Sequence, residues 1–283
     1  MSDTKISVLC ENTAGGVMGI TGEHGFSALI EKNGEKILFD TGQGRSLQNN
    51  AKFLQVDLSR IQEVVLSHGH YDHTGGLPAV LYPPRLVNVT AHPKIFENKY
   101  AEYPLPGGKT NIFIGLGYSY EYLTRGLFAN FDLQTEFCEL KPGIYYSGQV
   151  PRETDFEQPD PHLKLEKQDG TETDPVEDDI SLLIETDNGP VVLLGCAHAG
   201  MVNILNHFSR KTGHKEFHAV IGGTHLGFFE KGEQLDKSLQ ALEDYNLDLV
   251  AVSHCTGQEI AAICYNRFGQ KFAFANAGWS KTF

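Results

Sequence analysis

The sequence predicts an α/β fold in which one plan occurs twice, giving two β-sheets that are each covered by helices. Two observations lead to this prediction. Each half of the chain has a pair of apolar, β-rich runs joined through Asn-Gly, at Asn33-Gly34 and again at Asn188-Gly189, and this is a strong hairpin signal. Each half also has a buried strand that ends in Ser-His, in VVLSHGH and in VAVSHCTG.

The first half begins with the hairpin FSALIEKNGEKILFD, which ends at Asp40-Thr41-Gly42, where glycine permits a sharp turn. We expect a helix at about 46–54 and then the strand IQEVVLS, which runs directly into His68. A helix begins in YDHTGGLPAVL, because Asp72 and Thr74 can cap exposed N–H groups. The segment VNVTAHP is a further strand.

The second half begins with the hairpin SLLIETDNGPVVLLG, which ends in a loop bounded by Gly195 and Gly200. A helix at about 201–210 and the strand FHAVIGG follow. The last unit is a helix at about 235–245, the strand LDLVAVS, the loop HCTG and a final helix. Both halves therefore follow the same order of hairpin, helix and strand.

Two insertions interrupt this plan within the single domain that we expect over residues 1–283. The segment at about 101–131 is rich in aromatic residues and glycine, and it fits either a lid or pocket wall or a packed surface insertion. The segment 153–179 has eleven acidic residues and two lysines, so we expect a solvated loop.

Composition argues against several functional classes. There are 23 Lys and Arg against 36 Asp and Glu, and the resulting net charge of −13 does not suit binding to a phosphate backbone. No apolar run approaches the roughly 18 residues of a membrane span, and no signal peptide is visible. The five cysteines form no CxxC and read as reduced thiols. We expect a cytoplasmic protein with a small-molecule substrate and neither a nucleic-acid nor a membrane partner; the oligomeric state stays open.

The segment SHGHYDHTGG, residues 67–76, has three imidazoles and a carboxylate within six residues. His68 and His70 are two apart, so in extended backbone their rings point to the same side. Asp72 and His73 are adjacent and diverge, so they can serve a second point. Imidazole nitrogen and carboxylate oxygen are ligands of divalent metals. We therefore expect one or two ions, with zinc as the first choice and manganese or iron as alternatives.

The string HGHYDH resembles the HxHxDH signature of the metallo-β-lactamase superfamily, and the final strand ending in His254 extends the match along most of the chain. The segments HGFS, FDTG, SGQVPR, GCAHAG, GGTHL and HCTG resemble one subfamily more closely, the dihydropterin ribofuranosylaminobenzene phosphate synthase-like metal-dependent hydrolases. The resemblance implies a four-layer αββα sandwich, in which helices flank two mixed β-sheets and the metals lie between the sheets. It also implies a metal-bound hydroxide as the nucleophile.

The resemblance implies that His68 and His70 bind the first metal, and that Asp72, His73 and His254 bind the second. Asp72 then also counts as a catalytic residue. Asp40 would orient a loop or a ligand histidine through a charged hydrogen bond, or simply cap the turn at its strand end.

The sequence departs from the superfamily pattern in the second half. Where most members have a histidine before the second hairpin, this chain reads DPVEDDI, and where most have a bridging aspartate it has Cys196, followed by His198. We expect His198 to complete the first site, because two protein ligands are fewer than the three usual at a catalytic zinc. Cys196 either bridges as a thiolate or is a small buried thiol. Asp178 or Asp179 is the alternative source of an oxygen ligand.

Two further residues are candidates for contact with substrate. His225 ends a strand in GGTH, and we expect it to donate a proton or contact the substrate. Arg152, in VPR, would hold a phosphate or carboxylate by a bidentate contact, or is a solvated arginine beside the acidic segment.

These residues predict, as the first choice, a metal-dependent hydrolase that acts on a small anionic ester such as a phosphoester. The alternative is a transferase, as the subfamily's naming implies, that uses a phosphoribosyl donor and an aminobenzoate. A di-iron redox protein is disfavoured because members of that type have a carboxylate where this chain has His70. A binding module without activity is disfavoured because HGHYDH is intact.

Overall fold

The computed structural model describes residues 4–168 and 170–283. The strands, numbered along the chain, are β1 (Thr4–Cys10), β2 (Ser27–Lys32), β3 (Glu35–Phe39), β4 (Glu63–Val65), β5 (Val87–Ala91), β6 (Lys99–Leu105), β7 (Gly108–Phe113), β8 (Ala129–Leu133), β9 (Cys138–Lys141), β10 (Ile144–Tyr146), β11 (Leu163–Lys167), β12 (Gly170–Thr173), β13 (Ser181–Ile184), β14 (Val191–Leu194), β15 (Ala219–Gly223), β16 (Leu249–Ser253), β17 (Phe272–Phe274) and β18 (Ser280–Thr282).

The helices lie between the strands. They are α1 (Leu47–Phe53), α2 (Tyr71–Thr74), α3 (Leu77–Leu81), α4 (Met201–Thr212), α5 (Glu233–Asp244) and α6 (Gln258–Phe268), with a π-helical turn at Tyr122–Gly126. Over the described ranges, no helix combines the length and the apolar character that crossing a membrane requires.

Two seven-stranded mixed sheets form the centre of the fold, with strand orders β18-β1-β2-β3-β4-β5-β8 and β17-β16-β15-β14-β13-β10-β9. In each sheet an antiparallel hairpin continues into parallel strands: β2–β3 continues into β4, and β13–β14 continues into β15. At the first hairpin Asn33 and Gly34 have φ of 52° and 85°, as the Asn-Gly signal requires. The predicted duplication of an α/β plan is therefore confirmed.

The strands of the second hairpin are buried on both faces, and all of their residues except Ser181 are apolar. Along β14, Val191 and Leu193 pack between the two sheets, whereas Val192 and Leu194 pack under α4, α5 and α6. The first sheet is covered on its outer face by α1 and α3. Burial of one such side chain contributes roughly 1.5–3 kcal/mol. The layers are helix, sheet, sheet and helix, which agrees with the expected αββα sandwich.

The acidic segment 153–179 is not the solvated loop that its charge predicts. Its strands β11 and β12 form a third, four-stranded sheet with β6 and β7. Leu163 and Leu165 alternate with charged residues along β11 and are buried, and Leu163 packs against Ala101 and Ile114 of the aromatic segment. Two insertions that are far apart in the chain thus form one sheet. The count of acidic residues gave no indication of it.

Candidate metal centre

The C-terminal ends of five strands bring the histidine-rich loops together at one edge of the sandwich. Asp40 follows β3, His68 follows β4, Cys196 follows β14, His225 follows β15 and His254 follows β16. Open α/β sheets place ligands beyond the carboxyl ends of their strands.

A first cluster consists of His68, His70 and His198. The Nε2 atom of His68 lies 2.9 Å from Nδ1 of His70 and 3.2 Å from Nε2 of His198. All three rings are buried, and burial lowers their pKa well below the usual range, so they are neutral. Neutral imidazole is the form that binds metal.

A second cluster consists of Asp72, His73 and His254. The Nε2 atoms of His73 and His254 are 3.2 Å apart, and Oδ2 of Asp72 lies 3.3 Å from Nε2 of His254. His24 joins this cluster, because its Nε2 lies 3.1 Å from the same carboxylate oxygen. Burial opposes ionisation of Asp72, but His73 and His24 hold the pKa of Asp72 well below its usual range.

Cys196 lies between the two clusters. Its Sγ is 3.2 Å from Nε2 of His73, and it lies within 4.8 Å of ligand atoms of His68, His198 and His254. Burial raises the pKa of the Cys196 thiol well above its usual range. Cys255, whose Sγ lies 3.4 Å from the Cys196 carbonyl oxygen, is a second thiol at this place.

Oxygen acceptors fix the protons of three of these histidines on Nδ1. Ser67 Oγ donates to Asp40 Oδ2 at 2.6 Å, so it accepts from Nδ1 of His68 at 2.9 Å. Asp40 accepts directly from Nδ1 of His73 at 2.7 Å. Asn12 Oδ1, oriented by the Gly25 N–H, accepts from Nδ1 of His254 at 2.7 Å. Each contact leaves Nε2 of the histidine facing the cluster, as a metal ligand requires. At His73 burial opposes the charged form, but Asp40 and Asp72 raise the pKa to about 9, so a metal bound there would displace the Nε2 proton.

His225 lies beside the first cluster with a carboxylate partner. Its Nε2 is 3.2 Å from Oδ2 of Asp160, and its ring centroid is 4.2 Å from that of His198. Burial alone would lower the pKa of His225, but the hydrogen bond with Asp160 and the nearby Cys255 raise it to about 9. The ring is therefore positively charged at neutral pH when no metal is near.

The two aspartates considered as alternative ligands are used by the backbone instead. Asp178 accepts from the Gly69 N–H at 2.7 Å, and Asp179 accepts from the Ala199 N–H at 2.9 Å. Within the described parts of the chain, neither belongs to a group of converging ligand atoms. The structure therefore favours His198 over either aspartate as the third residue of the first cluster.

Arg152 does not point at the cluster. Its guanidinium donates to the carbonyl oxygen of Pro175 at 2.8 Å and to that of His198. It is not among the described residues that line the adjoining cavity. The structure therefore does not support the predicted contact of Arg152 with substrate, because its N–H groups donate to the backbone at Pro175 and His198.

A cavity of about 360 Å³ opens over both clusters. Its floor is made of His70, Asp72, Cys196, His198, His225 and His254. Its apolar wall comes mainly from the third sheet and includes Ala101, Tyr103, Pro104, Ile114, Leu163 and Phe228. No lysine or arginine is among the described residues that line it. The space suits a small molecule with an apolar part.

Four residues at this edge have left-handed backbone although none is glycine. They are Asp40, Ala197, His225 and His254, with φ of 59°, 57°, 57° and 51°. Such conformations are uncommon outside glycine and cluster at functional sites. The strand ends thus turn sharply at Asp40, His225 and His254, whose side chains contact the clusters, and at Ala197, which directly precedes His198.

Sequence reasoning missed several residues of the site. His24 was noted only as part of HGFS, and no pattern singled out Asn12, Asp160 or Cys255. Cys255 directly follows His254 in HCTG, so its position beside a candidate ligand was the one available signal. Asn12 and Asp160 reach the site only through the tertiary fold.

Comparisons with known proteins identify the family of this chain. Residues 20–254 match the family model of the metallo-β-lactamase superfamily. The chain is 31% identical to the 7,8-dihydropterin-6-methyl-4-(β-D-ribofuranosyl)-aminobenzene-5′-phosphate synthase of Methanocaldococcus jannaschii, over 98% of this chain and 96% of that protein. It is 33% identical to an uncharacterized protein of the same organism, over 89% and 90% of the two chains.

A solved structure extends this likeness to three dimensions. A metal-dependent hydrolase of the β-lactamase superfamily, Tm1679, has 27% identity and a TM-score of 0.81, with 98% of both chains covered. The matched family model spans the hairpins, both histidine clusters and the last ligand candidate, His254. The chain belongs to the metallo-β-lactamase superfamily.

Proposed function

We propose that this protein hydrolyses a small anionic phosphoester with the help of one or two divalent metal ions, of which zinc is the first choice. The main support is the convergence of two sets of ligand atoms, His68, His70 and His198 in one set and Asp72, His73 and His254 in the other. Members of both sets line one cavity. Three imidazoles, or imidazoles with a carboxylate, suit zinc, manganese or iron.

The donor set fits such an ion for a reason beyond residue type. The Nε2 atoms of His68 and His198 face each other at 3.2 Å, and those of His73 and His254 do the same. An oxygen acceptor holds a proton on Nδ1 of His68, His73 and His254, so Nε2 is the atom that each ring offers to an ion. At His73, whose pKa is raised to about 9, the ion would displace a proton from Nε2. When bound, a divalent ion supplies a Lewis acid that lowers the pKa of water and polarises a phosphoryl oxygen.

His225 is the candidate proton donor at the cavity. Its Nε2 is paired with Asp160, while its Nδ1 is buried without a hydrogen-bond partner among the described residues. Asp160 stabilises the charged imidazole and fixes its orientation, as a general acid requires. We assign His225 the role of protonating the leaving oxygen, and Asp160 the role of orienting it.

The cavity wall supports a substrate with an apolar or aromatic portion. Tyr103 and Pro104 lie on the third sheet, and Phe228 stacks on His225 with ring centroids 4.7 Å apart. No cationic side chain of the described residues lines the cavity apart from histidines. An anionic group would therefore be held at the histidine clusters, with the rest of the substrate against this wall.

A second candidate function is supported by the relative that shares 31% identity over 98% of this chain. The name of that protein describes a synthase whose product has an aminobenzene ring and a ribofuranosyl 5′-phosphate. The aromatic wall would accommodate an aminobenzoate acceptor, and the clusters a phosphoribosyl donor. Both candidates place the phosphate on the same floor.

Elemental analysis and paired assays on one preparation test the proposal. Metal-free protein is reloaded with Zn²⁺ or Mn²⁺ and offered aryl and alkyl phosphomonoesters and diesters, and separately a phosphoribosyl donor with 4-aminobenzoate. We expect His68→Ala to lose about one equivalent of metal and the phosphoester activity. The matched control is His218→Ala. His218 lies immediately before β15, whereas the cluster lies beyond the other end of that strand. Full activity in His68→Ala would contradict the proposal, and riboside formation without hydrolysis would establish the synthase.

The compartment that we propose is the cytoplasm. All five cysteines are free thiols, and four of them are buried. Persistent free thiols fit a reducing compartment. We also propose that the partner is a small molecule rather than a nucleic acid, because the net charge is −13.

A further inference from the structure

Lys99, the first residue of β6, is a buried lysine with 1% of its surface exposed. Its ammonium donates to Oδ1 of Asp178 at 2.7 Å and to Oδ2 of Asp174 at 3.1 Å. Lysine is almost never fully buried unless it is paired. A buried ion pair is weak evidence for stability, because desolvation offsets much of its attraction. The role of this ion pair therefore lies in the groups that it positions.

Asp178 connects this ion pair to the loop of the first cluster. Its second carboxylate oxygen, Oδ2, accepts from the backbone N–H of Gly69 at 2.7 Å. Gly69 is the residue between His68 and His70. A charged acceptor makes this a short and strong hydrogen bond. The peptide that joins the two imidazoles is thus held by a carboxylate that Lys99 itself holds.

Lys99 also limits the space at Gly69. A Cβ added to Gly69 would stand 2.5 Å from the carbonyl oxygen of Ile95 and 3.2 Å from Cε of Lys99. The loop therefore packs closely against the lysine side chain and against the backbone before β6. Held at its N–H and confined at its Cα, this residue has little freedom to move. The 2.9 Å approach of His68 Nε2 to His70 Nδ1 depends on that position.

We propose that Lys99 and Asp178 are positioning residues for the first cluster. They act through Gly69, by fixing the peptide whose two neighbouring side chains are the candidate ligands. The inference rests on the metal site of the proposed function and adds a pair of residues that lies outside the groups of converging ligand atoms among the described residues. The inference also connects the third sheet to the metal site, because Lys99 lies on β6 and Asp178 lies in the acidic segment.

The chain provides a matched pair of variants, Asp178→Asn and Asp174→Asn. Each removes one carboxylate charge from Lys99, but only Asp178 contacts Gly69; the other oxygen of Asp174 accepts from the Val176 N–H at 2.7 Å. We expect Asp178→Asn to lower the Zn²⁺ affinity of the first cluster about 10- to 100-fold, the usual effect of losing a group that orients a ligand. Asp174→Asn should leave that affinity unchanged.

Affinity is measured by competition with a chromophoric chelator, and the visible spectrum of the Co²⁺-loaded protein reports the ligand geometry. The spectrum should change in Asp178→Asn and keep its wild-type form in Asp174→Asn. Gly69→Ala is the second variant, because it displaces the same loop while both carboxylates stay in place; it should lose affinity as Asp178→Asn does. If Asp178→Asn does not fold, the Zn²⁺ affinity of Gly69→Ala provides the test.

The outcomes separate this inference from the metal site on which it rests. Equal affinities and spectra for wild type, Asp178→Asn and Gly69→Ala would overturn the positioning role and leave the metal site standing. An equal loss in Asp174→Asn would also overturn it, because the effect would then belong to the buried charge and not to Gly69. If wild type and His68→Ala bind the same amount of metal, the proposed site itself fails.

Discussion

Asp40→Asn is the change that tests most directly how the second cluster is built. The Asp40 carboxylate is fully buried and accepts three hydrogen bonds, from the Ser67 N–H at 2.7 Å, from Ser67 Oγ at 2.6 Å and from His73 Nδ1 at 2.7 Å. Asparagine has the same shape and also tolerates the left-handed backbone found here, φ 59°. The change therefore replaces one oxygen by an N–H donor with little other disturbance.

The magnitude follows from the partners of Oδ2. An amide nitrogen in its place can donate to Ser67 Oγ but opposes the Nδ1 proton of His73, so one charge-assisted hydrogen bond is lost, at about 1.5–3 kcal/mol of unfolding free energy. His73 escapes the clash by losing its Nδ1 proton and keeping the one on Nε2, the atom 3.2 Å from His254 Nε2. A protonated Nε2 cannot bind a metal. We expect the affinity of the second cluster to fall about 10- to 100-fold, which is about 1.4–2.8 kcal/mol.

The assay combines two measurements on the same variant. Chelator competition gives the metal affinity of each site, and denaturant unfolding of the metal-free protein gives the stability. Asp132→Asn, an exposed aspartate on β8, is the control and should change neither quantity. If Asp40→Asn kept wild-type affinity at both sites, the proton on His73 would not be set by Asp40, and the tautomer argument would be wrong.

Three further predictions concern the third ligand of the first cluster, the stability that bound metal adds, and the start of α4. His198→Ala should lose close to one equivalent of metal by elemental analysis and Cys196→Ser much less, because the imidazole completes the first cluster; the reverse result would make the thiol the ligand. Chelation should lower the thermal midpoint and added zinc should restore it, since metal at 100 times its Kd adds about 2.7 kcal/mol; an unchanged midpoint would mean that no metal is bound. Glu157→Ala removes the carboxylate that accepts from the Val202 and Asn203 N–H groups at 2.8 Å each, where α4 begins. It should cost about 0.5–2 kcal/mol of stability at unchanged metal content, and loss of metal would show that α4 also positions His198.

The central sandwich could be predicted because its signals are local. Asn33-Gly34 specifies a tight hairpin by backbone conformation alone, and an apolar run such as β14 is typical of a strand buried on both faces. The placement of His68 and His254 could also be predicted, because each comes soon after a buried apolar strand in the sequence. Spacing of two residues was enough to predict that His68 and His70 face the same side.

The third sheet and its role could not be predicted, because its pairings join segments far apart in the chain. Leu163 lies opposite Ala101 in the β11–β6 ladder, and nothing in either segment names the other. Charge counting then misled, since a carboxylate such as Asp178 looks solvated until its buried partner Lys99 is known. Arg152 failed for a related reason, because sequence does not say whether a guanidinium meets substrate or a carbonyl group.

The left-handed residues at the strand ends have a consequence for how this protein can change. Each non-glycine residue in that conformation costs roughly 1–2 kcal/mol, and Asp40, Ala197, His225 and His254 all adopt it at one edge. Glycine at Ala197 would relieve that cost and gain heat resistance, but it would also loosen the loop that presents His198. Selection for heat tolerance alone would therefore favour glycine at these positions, and the histidines there would be held less firmly. At these four residues, a backbone change that raises thermal stability would lower the precision with which the candidate ligands are held.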